Sequence, residues 1–478
     1  MARQTKQRAI GRKDLRAYLE AQTADILVGL LLDAAERDAR TWDRLALAAA
    51  NEGSRTQRLA TLRLSVDRAV ATLDDVRWDE MWDYTAGIEE AVEGIERVLR
   101  DGHAADAVDA SEHALAAVEE AMQHVDDSGG QMGAVLERLQ EVHLRACRAA
   151  KPDPVALAER LYEWECSGDW DTFSGAARIY SRVLGAAGRA RYRELAEAEW
   201  SQLPALGPGE PGYAGRRYAL TRVMEELARN VDELVDVIAH NLSSGHQFLR
   251  IAESYRGADR SDEAVVYAER GLAAFANAPD GRLADFLADE RARRGEHHEA
   301  ARLMWEAYAR HPCLATYRRL RLHAVPAGDW PERRQRALVF LQAQLTRRGA
   351  AHTARRHPAW HTADRSELVR ILLWDDDPEA AWSEAQAGGC EHGLWLKLAE
   401  QRRADHPEDA LAVYQARVDP TIARAKNDAY QEATRYVVEV RGLLAALGRE
   451  GEFASYLADL RVRHGRKRNL MKLLDALP

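Results

Sequence analysis

The sequence is short of cysteine, of proline and of long apolar runs, and each shortage narrows what the chain can be. Its four cysteines, Cys147, Cys166, Cys313 and Cys390, are scattered over 478 residues without a CxxC or CxC pair, which argues against a disulfide framework and an all-thiolate zinc knuckle. Fourteen prolines and 31 glycines are too few for a collagen-like or linker-dominated chain. No apolar run approaches the ~20 residues that span a bilayer, and the opening MARQTKQRAIGRKDLRAY lacks the apolar segment of a secretory signal. A soluble cytoplasmic protein with no membrane partner is therefore expected. Basic excess is missing too: 67 Lys and Arg stand against 77 Asp and Glu, a formal charge of -10, which disfavours a general nucleic-acid coat.

The signatures of common chemistries are absent as well. LGPGEPG is neither a phosphate-cradling GxxxxGK[ST] nor a strand-associated GxGxxG, and there is no GxSxG elbow. EHHEA lacks the HExxH spacing of a zinc hydrolase, since adjacent helical residues point about 100° apart. In RRGAAHTARRHPAWHTADRSE, His352, His357 and His361 could converge with Asp364 on a metal, but Arg355 and Arg356 oppose a cation and Pro358 breaks the helix that would align them. The acidic run Asp375 to Asp377 precedes Pro378 and reads as a solvent-exposed capping turn. No catalytic residue, metal ligand or cofactor is assigned, and an enzyme with an unrecognised helical site is the weakest of three functional readings.

What is present is helix. Ala, Leu, Glu and Arg recur at helical spacing, and 46% hydrophobic with 30% charged residues is enough for a large core. The fold expected is all-α, a tetratricopeptide-like α-solenoid of stacked antiparallel helical hairpins. Residues 1–12 form a basic arm, with Arg3, Lys6, Arg8 and Arg12. Residues 13–150 read as an N-terminal helical bundle with loops at NEGS, RDGH and DDSGG. Leu27, Leu30, Leu31 and Ala34 mark one buried stripe; Ile88, Val92, Ile95 and Leu99 mark another. Trp78 and Trp82, four apart, are expected to share a packed helical face. A helical hairpin region follows over 151–203, opening at KPDP and joined near Gly185 to Gly188. The breaker-rich stretch 204–215 is the loop or domain boundary.

From 216 to 478 a degenerate two-helix rhythm appears, with a basic C-terminal end. Acidic turns precede Ala264 and Ala300, 36 residues apart, and Ala380 and Ala410, 30 apart. The small residues let paired helices approach, which matches the tetratricopeptide period.

Three long segments carry a family resemblance: DTFSGAARIYSRVLGAAGRARYRELAEAEW, NVDELVDVIAHNLSSGHQFLRIAESYRGADRSDEAVVYAERGLAAF and ATRYVVEVRGLLAALGREGEFASYLADLRVRHGRKRNLMKLLDAL. They resemble the helical-repeat portion of bacterial proteins associated with SWIM zinc fingers, over most of residues 20 to 478. That resemblance implies a shared scaffold only, because the family's CxC and CxH ligand pairs are missing; Cys390 is followed by Glu391 and His392 with no partner CxC.

The reading favoured by the residues is a non-catalytic interaction scaffold holding a protein or peptide partner in a helical-repeat groove. Tyr255, Tyr267, Trp305, Tyr308, Arg318, Trp330 and Trp395 are its candidate contacts, since arginine and aromatic side chains anchor partners when exposed. The alternative is a nucleic-acid-associated accessory protein using its basic ends, with Arg461, Arg463, Arg466, Lys467, Arg468 and Lys472 as candidate anion contacts. The pattern sets no oligomeric state.

Overall fold

The computed structural model describes residues 10–72, 76–168, 170–353 and 364–477. Among them the regular structure is helical apart from two isolated bridges, Val76 with Val125 and Leu206 with Asn241. The chain divides into two compact units, Met1–Gln247 and Phe248–Pro478.

The first unit contains α1 (Arg12–Glu20), α2 (Ala24–Arg37), α3 (Ala39–Asn51), α4 (Arg55–Val70), α5 (Met81–Arg100), α6 (Ala104–Ala121), α7 (Gln131–Ala150), α8 (Pro154–Ser167), α9 (Ala176–Ile179), α10 (Ser181–Trp200), α11 (Arg216–Leu227) and α12 (Val231–Ala239). The sequence's punctuation is visible in their ends. Ser54 and Gln57 close a capping box at α4. Pro154 occupies the first turn of α8, and Asp153 accepts the Val155 and Ala156 amides at 3.1 and 2.8 Å. Helix α10 kinks at Gly185. One turn later Gly188 lies so close to α8 that a Cβ there would stand 2.6 Å from the Pro154 carbonyl oxygen. The 204–215 stretch is a loop inside this unit, tied down where Leu206 donates to His240 and accepts from Leu242, both at 2.8 Å.

The core of the first unit runs through α4 to α8, α10 and α11, and Ile88, Val92 and Ile95 are buried in it with Leu99 partly covered. Two expectations fail here. Helix α2 buries only Ala35; Leu30 and Leu31 are about half exposed, as are Ile26, Val28 and Leu32. Asp25, Asp33, Glu36 and Arg37 do mark one polar side of this helix, but its leucines stay half exposed because α3 is its principal packing neighbour and covers little of the opposite side. Trp78 and Trp82 are 59% and 74% exposed. Helix α5 starts only at Met81, so Trp78 belongs to the preceding turn and the fully buried anchor is Met81 itself.

The unit boundary falls in the first turn of α13 (Gly245–Gly257), and the second unit continues with α14 (Ser261–Ala274), α15 (Gly281–Arg293), α16 (His297–Arg310), α17 (Leu314–Ala327), α18 (Trp330–Thr353), α19 (Ser366–Trp374), α20 (Pro378–Gly388), α21 (His392–Arg402), α22 (Pro407–Ala423), α23 (Asn427–Ala446), α24 (Glu450–His464) and α25 (Arg468–Asp475). Consecutive helices pack as antiparallel hairpins, and alternate helices also touch, α15 with α17, α16 with α18, α17 with α19 and α19 with α21. This is the stacked-hairpin, tetratricopeptide-like packing of an α-solenoid.

One turn recurs. Gly102, Asp259, Gly295, Gly328, Asp376 and Gly448 all have left-handed φ between 59° and 91°. The next residue's amide bonds back five positions in each case, as in Arg260 to Tyr255 at 2.9 Å, Glu296 to Arg291 at 2.9 Å and Asp377 to Leu372 at 2.9 Å. These are Schellman closures, which satisfy the last carbonyls of one helix while reversing the chain into the next. Behind four of the six, the fourth residue of the following helix is a fully buried alanine: Ala107, Ala264, Ala300 and Ala381; after Gly328 and Gly448 the place is taken by Arg333 and Phe453. Ala410 holds the same place in α22. The register thus corrects the expected Ala380 by one position, because α20 begins at Pro378 and its partly exposed Ala380 is only the third residue.

Asp259 and Asp376 hold a conformation that glycine adopts without Cβ strain. Replacing either with glycine is expected to raise stability by about 0.5–1 kcal/mol, measured by urea unfolding. In the first unit, Arg58 and Arg55 each donate to Asp106 at 2.8 Å. Burial alone would raise the Asp106 carboxyl, but hydrogen bonds and charge from Arg58 and Arg55 outweigh it and hold it below its ordinary value. This stabilisation is complete above the ordinary carboxylate range and is lost as pH falls through the folded value. Asp106→Ala should cost about 3–5 kcal/mol at pH 7, and its deficit relative to the parent should shrink when unfolding is repeated near pH 3.

Candidate functional site

Three aromatic clusters in the second unit contain all of the sequence-predicted contacts except Arg318, which caps one of them. Tyr255 and Tyr267 pair across α13 and α14, centroids 5.7 Å apart, with Arg260 over the first ring and Arg270 over the second, each at 4.7 Å. Trp305 and Tyr308 of α16 join Tyr317 of α17, Trp330 of α18 and Trp374 of α19 through centroid distances of 5.3 to 6.0 Å. Trp382 of α20 and Trp395 of α21 meet edge to face at 5.5 Å. Within these clusters the roles divide. Tyr308 is completely buried and its hydroxyl donates to the Ala337 carbonyl at 3.0 Å, so it is core and has no surface to give a partner. Tyr255 is also buried. Tyr267, Trp305, Trp330 and Trp395 are partly exposed, and Arg318 is exposed.

Arginines cover the outward faces. Arg318 and Arg321 stand over Trp374 at 5.2 and 4.9 Å, Arg336 over Trp305 at 3.9 Å, Arg402 over Trp382 at 4.8 Å and Arg417 over Trp395 at 5.5 Å. Such stacking holds a guanidinium flat while leaving its edge able to donate. Sequence spacing could not find Arg336 or Arg417, because each reaches a ring on a different helix. Arg321 had a faint signal, one helical turn beyond Arg318.

The support beneath the largest cluster is Asp375. Its side chain is only 3% exposed, and it accepts from the Tyr317 hydroxyl and from Arg334 Nε, both at 2.6 Å. This overturns the solvent-exposed turn expected for Asp375 to Asp377: Asp377 does cap α20, accepting the Ala380 amide at 3.2 Å, but Asp375 turns inward. The phenol is correspondingly hard to ionise, through burial first and then the Asp375 hydrogen bond. Arg417 is the contrasting case. Among the described residues no carboxylate pairs with it, its Nε is buried without a hydrogen-bond partner, and burial lowers its proton affinity.

The C-terminal cations are partly committed within the chain. Arg461 donates to Asp475 at 2.9 Å, Arg463 pairs with Asp419 and Asp459, and Lys467 donates to the Ile422 carbonyl at 2.9 Å. Arg466, Arg468 and Lys472 are exposed. Leu470 and Leu474 are fully buried, giving α25 its packing face.

A cysteine, histidine and carboxylate do meet in the first unit. His143 Nε2 lies 3.5 Å from Cys147 Sγ and 3.3 Å from Glu112, and Nδ1 lies 2.8 Å from the Tyr180 hydroxyl. Cys147 is fully buried, and burial, then the Glu112 charge, push its thiol up to about 12. It stays protonated at neutral pH and beyond the reach of a substrate, so this constellation is core packing. Among the described residues, no group of three or more His, Cys, Asp or Glu side chains is arranged to hold a metal. The side chains of His352, His357 and His361 lie outside the described residues, as do Arg3, Lys6 and Arg8; Asp364 accepts from the Ser366 amide at 2.9 Å. No described helix is long and apolar enough to cross a membrane.

Asp375→Ala is expected to lower stability by about 3–5 kcal/mol, since it strands Arg334 and the Tyr317 hydroxyl. Denaturant unfolding checks this, with near-ultraviolet circular dichroism reporting the loss of ordered tryptophan around the cluster.

Comparison with known proteins gives a family but no activity. No curated protein matches the chain. Among solved structures, a circular tandem repeat protein with novel repeat topology is 14% identical, covering 96% of this chain and 92% of its own, with a TM-score of 0.18. The human IFIT1 dimer with PPP-AAAA is 13% identical, covering 84% and 94%, at a TM-score of 0.22. The Cut9–Hcn1 hetero-tetramer of APC/C is 11% identical, covering 94% and 98%, at 0.18. Such low scores bear on neither fold nor function. The matching family model is not described as SWIM-associated, and it spans residues 13–472. The chain therefore belongs to DUF6880, a family of unknown function.

Proposed function

We propose that this protein is a non-catalytic interaction scaffold whose second unit takes a protein or peptide partner on its arginine–aromatic surface. Arg417 carries the reading. A half-buried guanidinium without a counter-ion is costly, and a partner's carboxylate would restore the missing charge and hydrogen bonds. Arg319, Arg334, Arg370 and Arg402, which like Arg417 are partly or wholly covered, each have a carboxylate of their own, whereas among the described residues Arg417 has none. Trp395 beneath it, and Arg336 on Trp305 and Arg318 on Trp374, supply flat, partly desolvated platforms of the kind that dominate peptide-binding surfaces.

Panning a random dodecapeptide library on the full chain tests the proposal. A consensus containing acidic residues is expected, with affinity falling about tenfold or more for Arg417→Met and for Trp395→Ala. Absence of a consensus, or equal binding by both variants, overturns it.

A further inference from the structure

Two neighbouring clefts in the first unit have a chemistry unlike the surface just described. The first, of about 590 Å³, lies between α6 and α8 and the turn that follows α8. Two indoles line it, Trp164 and Trp170, and both are oriented by one residue: Trp164 Nε1 donates to the Glu119 carboxylate at 2.9 Å and Trp170 Nε1 to the Glu119 carbonyl at 3.1 Å. Trp170 is 40% exposed. The other Glu119 carboxylate oxygen is buried and has no hydrogen-bond partner. Glu120 and Glu163 also line the cleft, Glu163 engaged by Arg216 at 3.0 Å. The cation on the wall, Arg160, is already held by Glu112 at 3.0 Å.

Gln123 is shared with a second cleft, of about 640 Å³, beside the Val76–Val125 bridge. Its walls carry the exposed Trp78 together with Asp79 and Asp126; Arg77, the arginine there, pairs with Asp79 at 3.4 Å. Through Gln123 the two clefts form a run of indoles interleaved with acidic groups; among the described lining residues Glu119, Glu120 and Asp126 carry no ion pair, Glu163 and Asp79 are paired with Arg216 and Arg77, and the basic groups are Arg160, Arg77 and His124. Indole faces attract organic cations more strongly than other aromatic rings do, and carboxylates without an ion pair beside them add to that attraction.

We propose that this groove binds a basic segment of a partner protein, with an arginine or lysine head seated against Trp164 and Trp170 beside the Glu119 and Glu120 carboxylates, and a second basic side chain reaching Trp78 and Asp126. The preference for a peptide over a small free cation comes from the continuity of the two clefts, which one cation could not fill. Nucleic acid is disfavoured here by the sign of the charge. The groove lies wholly in the first unit, so it stands or falls independently of the surface proposed for the second.

The test is fluorescence polarisation of a labelled tetra-arginine peptide on the full chain, at about 150 mM salt to suppress long-range attraction by the net negative charge. Saturable binding is expected, weakened about fivefold or more by Trp170→Ala, which removes no charge. Glu120→Gln should also weaken it, and Trp170→Phe should recover part of the loss. Glu36→Gln, an exposed acid on α2 away from the groove, should leave binding unchanged. Thermal melts of each variant confirm that it folds. Equal binding by the parent and a folded Trp170→Ala, or an equal loss with Glu36→Gln, means charge attraction alone and overturns the proposal. Displacement of the peptide by methylguanidinium at concentrations matched to the peptide's own Kd would overturn the peptide assignment in favour of a small organic cation.

Discussion

Reversing a helix within three residues, without leaving its final carbonyls unsatisfied, is the constraint on which the rest of this structure depends. The chain meets it repeatedly with the same Schellman closure, a left-handed residue followed by an amide that reaches back five positions. A turn that short brings the next helix almost against the last one, and in four of the six cases a buried alanine at its fourth position eases the approach. Hairpins built this way have one apolar side covered by the partner helix and another left open, so each must stack on its neighbour. The contacts between alternate helices are the result.

Stacking also sets the electrostatic character of the molecule. A chain so rich in arginine and glutamate can place charges near its helix contacts only if they are paired. Most are: Asp106 holds Arg55 and Arg58, and Asp375 holds Arg334 and the Tyr317 hydroxyl. Against that background the unpaired groups gain meaning. Arg417 lacks an acid on one unit, and a buried Glu119 oxygen lacks a donor on the other. They are of opposite sign and each sits beside tryptophan, and the two binding proposals rest on that contrast.

Much of the architecture was legible before any coordinates. The loops at RDGH and DDSGG, the helix opening at KPDP and the two-helix rhythm all rest on local chemistry: caps, breakers and periodicity; the join expected near Gly185 to Gly188 is a kink within α10. The misreadings occurred where local chemistry was silent. Helix α2 has a legible apolar side, but how much of that side is covered depends on how many helices pack there, and α3 is its principal neighbour. Trp78 and Trp82 have helical spacing, but the helix begins between them. The acidic run before Pro378 looked like one exposed turn, although its first member points into the core and its third caps the next helix. Tyr308 and Trp305 were equally plausible contacts in sequence, yet one is wholly internal.

By itself, then, the sequence determined the helices, their ends and the hairpin rhythm, because propensity, capping and the 3.6-residue period act over a few neighbouring residues. Tertiary structure decided which side chains face outward, which charges are paired and which are not. Those depend on partners tens of residues away: 41 between Arg334 and Asp375, and 45 between Trp164 and Glu119. Only the packed helices bring such groups within a hydrogen bond's reach, and only then do the exceptions that suggest function become visible.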